Sequence, residues 1–260
     1  MIEMLFDTHA HLNDEAFEKD LEEVLDEIRR SPVKKIINCG FDEESSAKAV
    51  ALAHKHSFLY ATAGMHPHDA KLYDAVFEEE LSNWLQDPRT VALGEIGLDY
   101  HYDLSPRSTQ KEVFISQIQI AQRFDKPIVI HSREAVEDTY EILKRYAGGN
   151  QKILLHSFSQ STEMMKRYLE NTNICFSVSG VVTFKNAHNV RETVSQIPME
   201  RLMIETDCPY MTPVPYRGKR NTPIYVRYVA EKVAEMKGLS YEEVCKVTYL
   251  NAIRFFDIKD

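Results

Sequence analysis

Six side chains able to bind divalent cations stand at the C-terminal ends of separate apolar runs. They are His9 and His11 in LFDTHAHL, Glu95 in TVALGEIGLDY, His131 in KPIVIHS, His156 in KILLHSF and Asp207 in RLMIETDCP. Imidazoles and carboxylates are the groups that hold a pair of divalent ions, and such a pair brings the pKa of a bound water down towards neutrality. The pattern therefore points to a hydrolase. A lone H-x-H more often marks solvated histidines than a metal site. Position changes that balance: burying histidines at the ends of three runs, with two carboxylates added, is hard to explain by packing, because buried charges need partners.

Alternate residues of a strand share a side, so His9 and His11 point the same way. His9, His11 and Asp207, from the first and last runs, are expected to hold one ion. His131 and His156 are expected to hold a second, with Glu95 bridging the two. Paired ions of this kind lie about 3.5–4 Å apart. Asp207 is also expected to take the proton from the attacking water, so Asp207 and Glu95 are the expected catalytic carboxylates. Glu205 is open between orienting a ligand histidine and an internal ion pair. Asp7 reads as a buried partner to a cation or a backbone amide rather than as a ligand. Four imidazoles suit zinc or manganese better than magnesium, which prefers oxygen and water.

Substrate contacts have weaker signals. His66 and His68 in GMHPHDA offer hydrogen bonds to an anionic group; a proline-stiffened turn with surface histidines is the plain alternative. Arg133 follows His131 by two and can point the same way. Arg217, Lys219 and Arg220 sit in YRGKRNTP, and arginine forks match phosphate oxygens in pairs. A charge run is usually a solvated face, but this one adjoins an expected ligand. Tyr100 and Tyr102 can stack on a base or sugar, or cap the rim.

These residues need elements to carry them. Short runs rich in Val, Ile and Leu recur near 4–11, 34–40, 58–64, 90–97, 127–132, 152–158, 173–180 and 201–207, each followed by helical periodicity. Phe17, Leu21, Val24, Leu25 and Ile28 share one helical face; Phe114, Ile118 and Ala121 share another; Val226, Val229, Ala230 and Val233 make a stripe after Pro223. Strands alternating with helices imply parallel pairing through right-handed crossovers. Eight of them favour a single α/β (β/α)8 TIM barrel over an open sheet, as one domain spanning 1–260. LSYEEVCKVTYLNAIRFF adds a C-terminal helix opened by a Ser240–Glu243 capping box. The irregular stretch from Pro209 to Thr222 follows the eighth run, at the edge where barrels build their active sites.

Composition narrows the class. With 260 residues, 43% of them hydrophobic, the chain can bury a large core. A formal charge of −9 argues against coating nucleic acid electrostatically, while leaving room for gripping one strand end. Cys39, Cys175, Cys208 and Cys245 are scattered, without CxxC, which fits a reducing compartment. No apolar run reaches the ~18 residues of a membrane span. A soluble cytoplasmic enzyme, with no membrane association and no obligate protein partner, is the expectation.

FDTHAHL, GxHP, GEIGLDY, PIVIHSREA, HSF and ETDCPYMTPVPYRGKRNTP together resemble the TatD family of metal-dependent hydrolases, within the amidohydrolase-like superfamily. The resemblance runs from Phe6 to the closing NAIRFF. It implies a TIM barrel whose metal centre is His9, His11, Glu95, His131, His156 and Asp207. It further implies a magnesium-dependent deoxyribonuclease, a 3′-to-5′ exonuclease preferring single-stranded DNA. A deacylase activity on aminoacyl-tRNA is also linked to the family, so D-aminoacyl esters and lactones form the alternative substrate class. One departure is visible: where the family often continues its strand-six histidine with Cys, Phe, Thr and Gly, this chain has HSFSQS, with His156 intact.

Overall fold

The structure, a computed structural model, describes residues 3–170 and 173–259. Eight parallel strands follow one another through a single sheet in sequence order. They are β1 (Leu5–Ala10), β2 (Val33–Cys39), β3 (Leu59–Ala63), β4 (Thr90–Asp99), β5 (Ile128–Arg133), β6 (Ile153–Leu155), β7 (Ile174–Val178) and β8 (Leu202–Ile204). The helices between them are α1 (Leu21–Arg30), α2 (Glu43–Lys55), α3 (Ala75–Gln86), α4 (Arg107–Arg123), α5 (Val136–Tyr146), α6 (Thr162–Leu169), α7 (His188–Gln196) and α8 (Val226–Lys237); α9 (Tyr241–Phe255) closes the chain. All eight expected strands and the extra helix are present. No described helix is long and apolar enough to cross a membrane.

The residues fall into two compact units, 1–38 with 156–260, and 39–155. In the first unit, β8 returns beside β1: Ala10 bridges Cys208 in parallel, the His11 N–H donates to the Cys208 carbonyl at 2.8 Å, and the Asp207 N–H donates to the His9 carbonyl at 2.8 Å. The helical stripes read from the sequence form its core. Val24, Leu25 and Ile28 of α1 are buried, as are Val226, Val229, Ala230 and Val233, whereas Leu21 at the start of α1 is only half-buried and Phe17, though buried, lies in a 3-10 turn (Glu15–Phe17) before the helix. Pro223 opens a short 3-10 turn that leads into α8, where its missing N–H costs nothing. α8 stops at Gly238, whose φ of 65° is left-handed. Ser240 caps α9 by accepting from the Glu243 N–H.

In the second unit all ten residues of β4 are buried, as befits a parallel strand covered on both faces. β4 pairs with β5 so that Gly97 stands opposite His131. A Cβ on Gly97 would lie 1.9 Å from the His131 carbonyl oxygen, and one on Gly94 would lie 2.7 Å from Val129 Cβ. Both glycines also have positive φ, 159° at Gly94 and 142° at Gly97. The two glycines of GEIGLDY therefore let the β4 and β5 backbones approach closely on either side of Glu95. Gly97→Ala is expected to destabilise the protein by at least about 1–3 kcal/mol through overpacking and to weaken divalent-cation binding by displacing His131. Urea unfolding and calorimetric titration with Mn²⁺ check this; an unchanged midpoint and affinity would contradict the role of the close approach.

Candidate metal centre

In the first unit, β1 delivers His9 and His11 to one side, as the period-two spacing requires. Their Nε2 atoms lie 3.1 Å apart. Asp207 Oδ1 faces both, 3.8 Å from His9 Nε2 and 3.5 Å from His11 Nε2. All three residues are buried, and one donor atom from each falls within 4.8 Å of the others. Two imidazole nitrogens this close, aimed at the same carboxylate, form a natural cage for one cation. Burial alone would raise the Asp207 carboxyl, but the hydrogen bond from His11 and the neighbouring His9 and His156 rings hold it below its usual range. It is thus an anion at neutral pH. Its backbone has a φ of 57°, a left-handed conformation that is costly outside glycine. The bond from its N–H to the β1 carbonyl of His9 keeps it there.

His156 follows the last residue of β6 and packs in the same unit, its ring stacked on His9 at 4.1 Å between centroids and 15° between planes. Its Nδ1 is 3.4 Å from Glu205 Oε1. Glu205 is fully buried, and the same oxygen accepts from the Ser157 N–H at 2.8 Å. Glu205 thus stands where it can orient His156, one of the two roles the sequence left open. Asp7 accepts from the Thr206 N–H at 2.9 Å and the Thr206 hydroxyl at 2.5 Å. Burial pushes its carboxyl up to about 8. Asp7 ties β1 to the segment after β8 through one backbone amide and one hydroxyl, both of Thr206, and so partners an amide as read from the sequence.

In the second unit, Glu95 Oε1 lies 2.9 Å from His131 Nδ1 and 3.6 Å from His66 Nε2. His66, expected to touch substrate, is instead buried against Glu95, and its ring centroid is 4.5 Å from that of His131. Burial, with the charge of His131, pushes its pKa well below the usual 6.5, so it is a neutral donor atom. His66, Glu95 and His131 make a second group whose donor atoms lie within 4.8 Å of one another.

Asp99 is the residue sequence reasoning missed. Its Oδ2 is 3.0 Å from His131 Nε2 and 3.1 Å from His68 Nε2. Burial would raise its carboxyl, but the two histidine contacts win and hold it far below the usual range. The signal was present: Glu95, Gly97 and Asp99 alternate along β4 and share a face. Asp99→Ala is expected to lower divalent-cation affinity about 10–100-fold by loosening His131. Titration calorimetry checks this; undiminished affinity would remove Asp99 from the centre.

The other expected contact residues are tied more locally. Arg133 lies over the Tyr102 ring at 4.8 Å, and Tyr102 sits edge-on to His68 at 5.3 Å. The Tyr100 hydroxyl donates to Asp138 at 2.6 Å while Arg107 covers the Tyr100 ring. Arg217 lies over Phe184 at 3.8 Å and donates to the Thr212 carbonyl. Arg220 is engaged by Asp20 through two nitrogens, at 2.9 and 2.6 Å, and covers Phe17. In this conformation Arg220 pins the loop to the end of α1's approach segment rather than presenting a fork outward.

Histidine and carboxylate clusters that could hold metal ions, carried on or just after parallel β/α strands, are the donor sets a metal-dependent barrel hydrolase would use. The chain belongs to the TatD family of metal-dependent hydrolases: residues 6–257 match the family described as TatD related DNase. It is 45% identical to the uncharacterized metal-dependent hydrolase YabD of Bacillus subtilis, over 98% of this chain and 100% of that one. It is 35% identical to the uncharacterized metal-dependent hydrolase YcfH of Escherichia coli, over 98% and 96%. The crystal structure of the Escherichia coli TatD homologue YJJV superposes with a TM-score of 0.92 at 29% identity, covering both chains completely. The fold is accordingly the (β/α)8 TIM barrel with an added C-terminal helix that the sequence implied.

Proposed function

We propose that the protein is a phosphodiesterase acting on DNA, removing nucleotides from single-stranded 3′ ends. The observation that supports this most is the pair of donor clusters, His9–His11–Asp207 and His66–Glu95–His131, in a chain whose family is described as TatD related DNase. The donor sets fit divalent cations: every group is an imidazole or a carboxylate, and each cluster carries one carboxylate to offset the charge of an ion. His9, His11 and Asp207 would hold one ion and Glu95, His131 and His66 another, with His156 added beside His9. When bound, such ions supply charge for the scissile phosphate and acidify the attacking water. The nitrogen-rich donor set suits manganese or zinc, with magnesium the weaker binder.

The chain's own residues do the rest. Asp207, anionic at neutral pH, accepts the proton of the attacking water. Attack at phosphorus expels the 3′ oxygen of the preceding nucleotide. Glu205 and Asp99 hold His156 and His131 in place. Arg133 and Arg217 carry the positive charge available to the phosphate.

A 5′-labelled single-stranded oligonucleotide, incubated with apo-protein and Mn²⁺, Zn²⁺ or Mg²⁺ in turn, tests the reading. Stepwise shortening that EDTA stops and a divalent ion restores is expected. Intact DNA alongside hydrolysis of a D-aminoacyl-tRNA or a lactone would move the reaction to a carbonyl ester.

A further inference from the structure

The loop after Asp207 leaves three large apolar side chains exposed in the segment 210–214: Tyr210 at 55%, Met211 at 37% and Val214 at 45%. Single exposed apolar residues need no explanation, but this group is held in place at a cost. Met211, a non-glycine residue, has a φ of 53°. Asn221, fully buried, fastens the turn: its Nδ2 donates to the Tyr210 carbonyl at 2.6 Å and to the Thr206 carbonyl at 2.9 Å, and its N–H donates to the Pro209 carbonyl at 3.1 Å. The Tyr210 N–H donates to the Asp207 carbonyl at 2.9 Å. Its hydroxyl donates to Asp14 at 2.9 Å, which fixes the ring as well as the backbone. The ring stands edge-on to His11, 6.4 Å between centroids and 65° between planes.

An exposed aromatic ring, tied at both ends, therefore stands beside the first donor cluster. Flat, uncharged faces without directional polar groups are recognised by stacking, and a nucleobase is the part of a nucleic acid that offers one. A base inside a duplex is already stacked on both sides, so such a surface selects unpaired ends. Because the ring is fixed before binding, little ordering entropy is lost when a base arrives.

Resting on the phosphodiesterase reading, we propose that Tyr210 is a specificity-determining residue: its ring is the stacking surface for the unpaired base adjoining the scissile phosphate. Met211 and Val214 extend that surface.

The test compares wild type, Tyr210→Ala and Tyr210→Trp on two single-stranded oligonucleotides, one with a normal 3′-terminal base and one with an abasic 3′-terminal residue. Tyr210→Ala is expected to lower kcat/KM about tenfold or more on the normal end, with little change on the abasic end, and Tyr210→Trp to restore it. A terminal 2-aminopurine should be quenched on binding to wild type and not to Tyr210→Ala, a readout independent of turnover. Equal losses on both substrates would show a merely structural role, and no loss on either would show no role; each overturns the proposal while leaving the phosphodiesterase reading intact. A wild-type enzyme inert on every phosphodiester would overturn both.

Discussion

Glu95→Ala is expected to lower hydrolysis by about 10³-fold or more while leaving the fold intact. Glu95 supplies the carboxylate of its cluster, 2.9 Å from His131 and 3.6 Å from His66. Without it, two imidazoles remain, and a divalent ion loses the one anionic donor that offsets its desolvation. Losing the several kcal/mol that a bound ion contributes to the transition state accounts for a factor of that size. Glu95 is buried, so circular dichroism is needed to show that the variant folds. The informative comparison is thermal: Mn²⁺ should raise the wild-type Tm and raise that of Glu95→Ala by much less. Wild-type turnover by a folded Glu95→Ala protein would remove this cluster from the chemistry.

Asp207→Asn is expected to cost about 10²–10⁴-fold in kcat, the range of a lost general base. Asparagine is the suitable replacement because Asp207 has a φ of 57°, which asparagine tolerates better than alanine. It keeps the size of the side chain, its left-handed backbone and the N–H bond to the His9 carbonyl. It removes the charge that His9 and His11 face and the site that takes the proton. Single-turnover kinetics at saturating Mn²⁺ separates the two losses: if Asp207 is the base, the rate stays low even when metal binding is saturated. Full recovery of the rate at high Mn²⁺ would leave Asp207 as a ligand only.

Much of this site was legible because a parallel strand is a simple ruler. His9 and His11 share a side by period-two spacing alone, and the ends of apolar runs marked where Glu95, His131, His156 and Asp207 would stand. The helical stripes at Val24, Leu25 and Ile28 and at Val226, Val229, Ala230 and Val233 are buried as their 3.6-residue period requires. Short strands blurred the detail. β6 and β8 are three residues each, and His156 and Asp207 lie past their ends. There the backbone turns through left-handed conformations at Ser157 and Asp207, which no residue-type pattern announces because neither is glycine.

Pairings distant in sequence were the least visible. Arg220 meets Asp20 two hundred positions away, so its charge, read as a fork for phosphate, is taken up in holding a loop. His66 offered itself as a substrate contact, or as a surface histidine before Pro67, yet it is buried beside Glu95. Asp99 was overshadowed by the tyrosine that follows it, although alternation from Glu95 placed it on the same face. Tyr210 has no pattern to betray it; only its exposure and its fastening by Asn221 and Asp14 set it apart.

The most direct measurement is an anomalous difference map at the manganese edge from crystals grown with Mn²⁺. Two peaks are expected, each about 2.0–2.3 Å from its donors: one at His9 Nε2, His11 Nε2 and an Asp207 oxygen, the other at Glu95 and a His131 nitrogen. A map with no density at either cluster, from protein that still hydrolyses its substrate in Mn²⁺, would contradict the account.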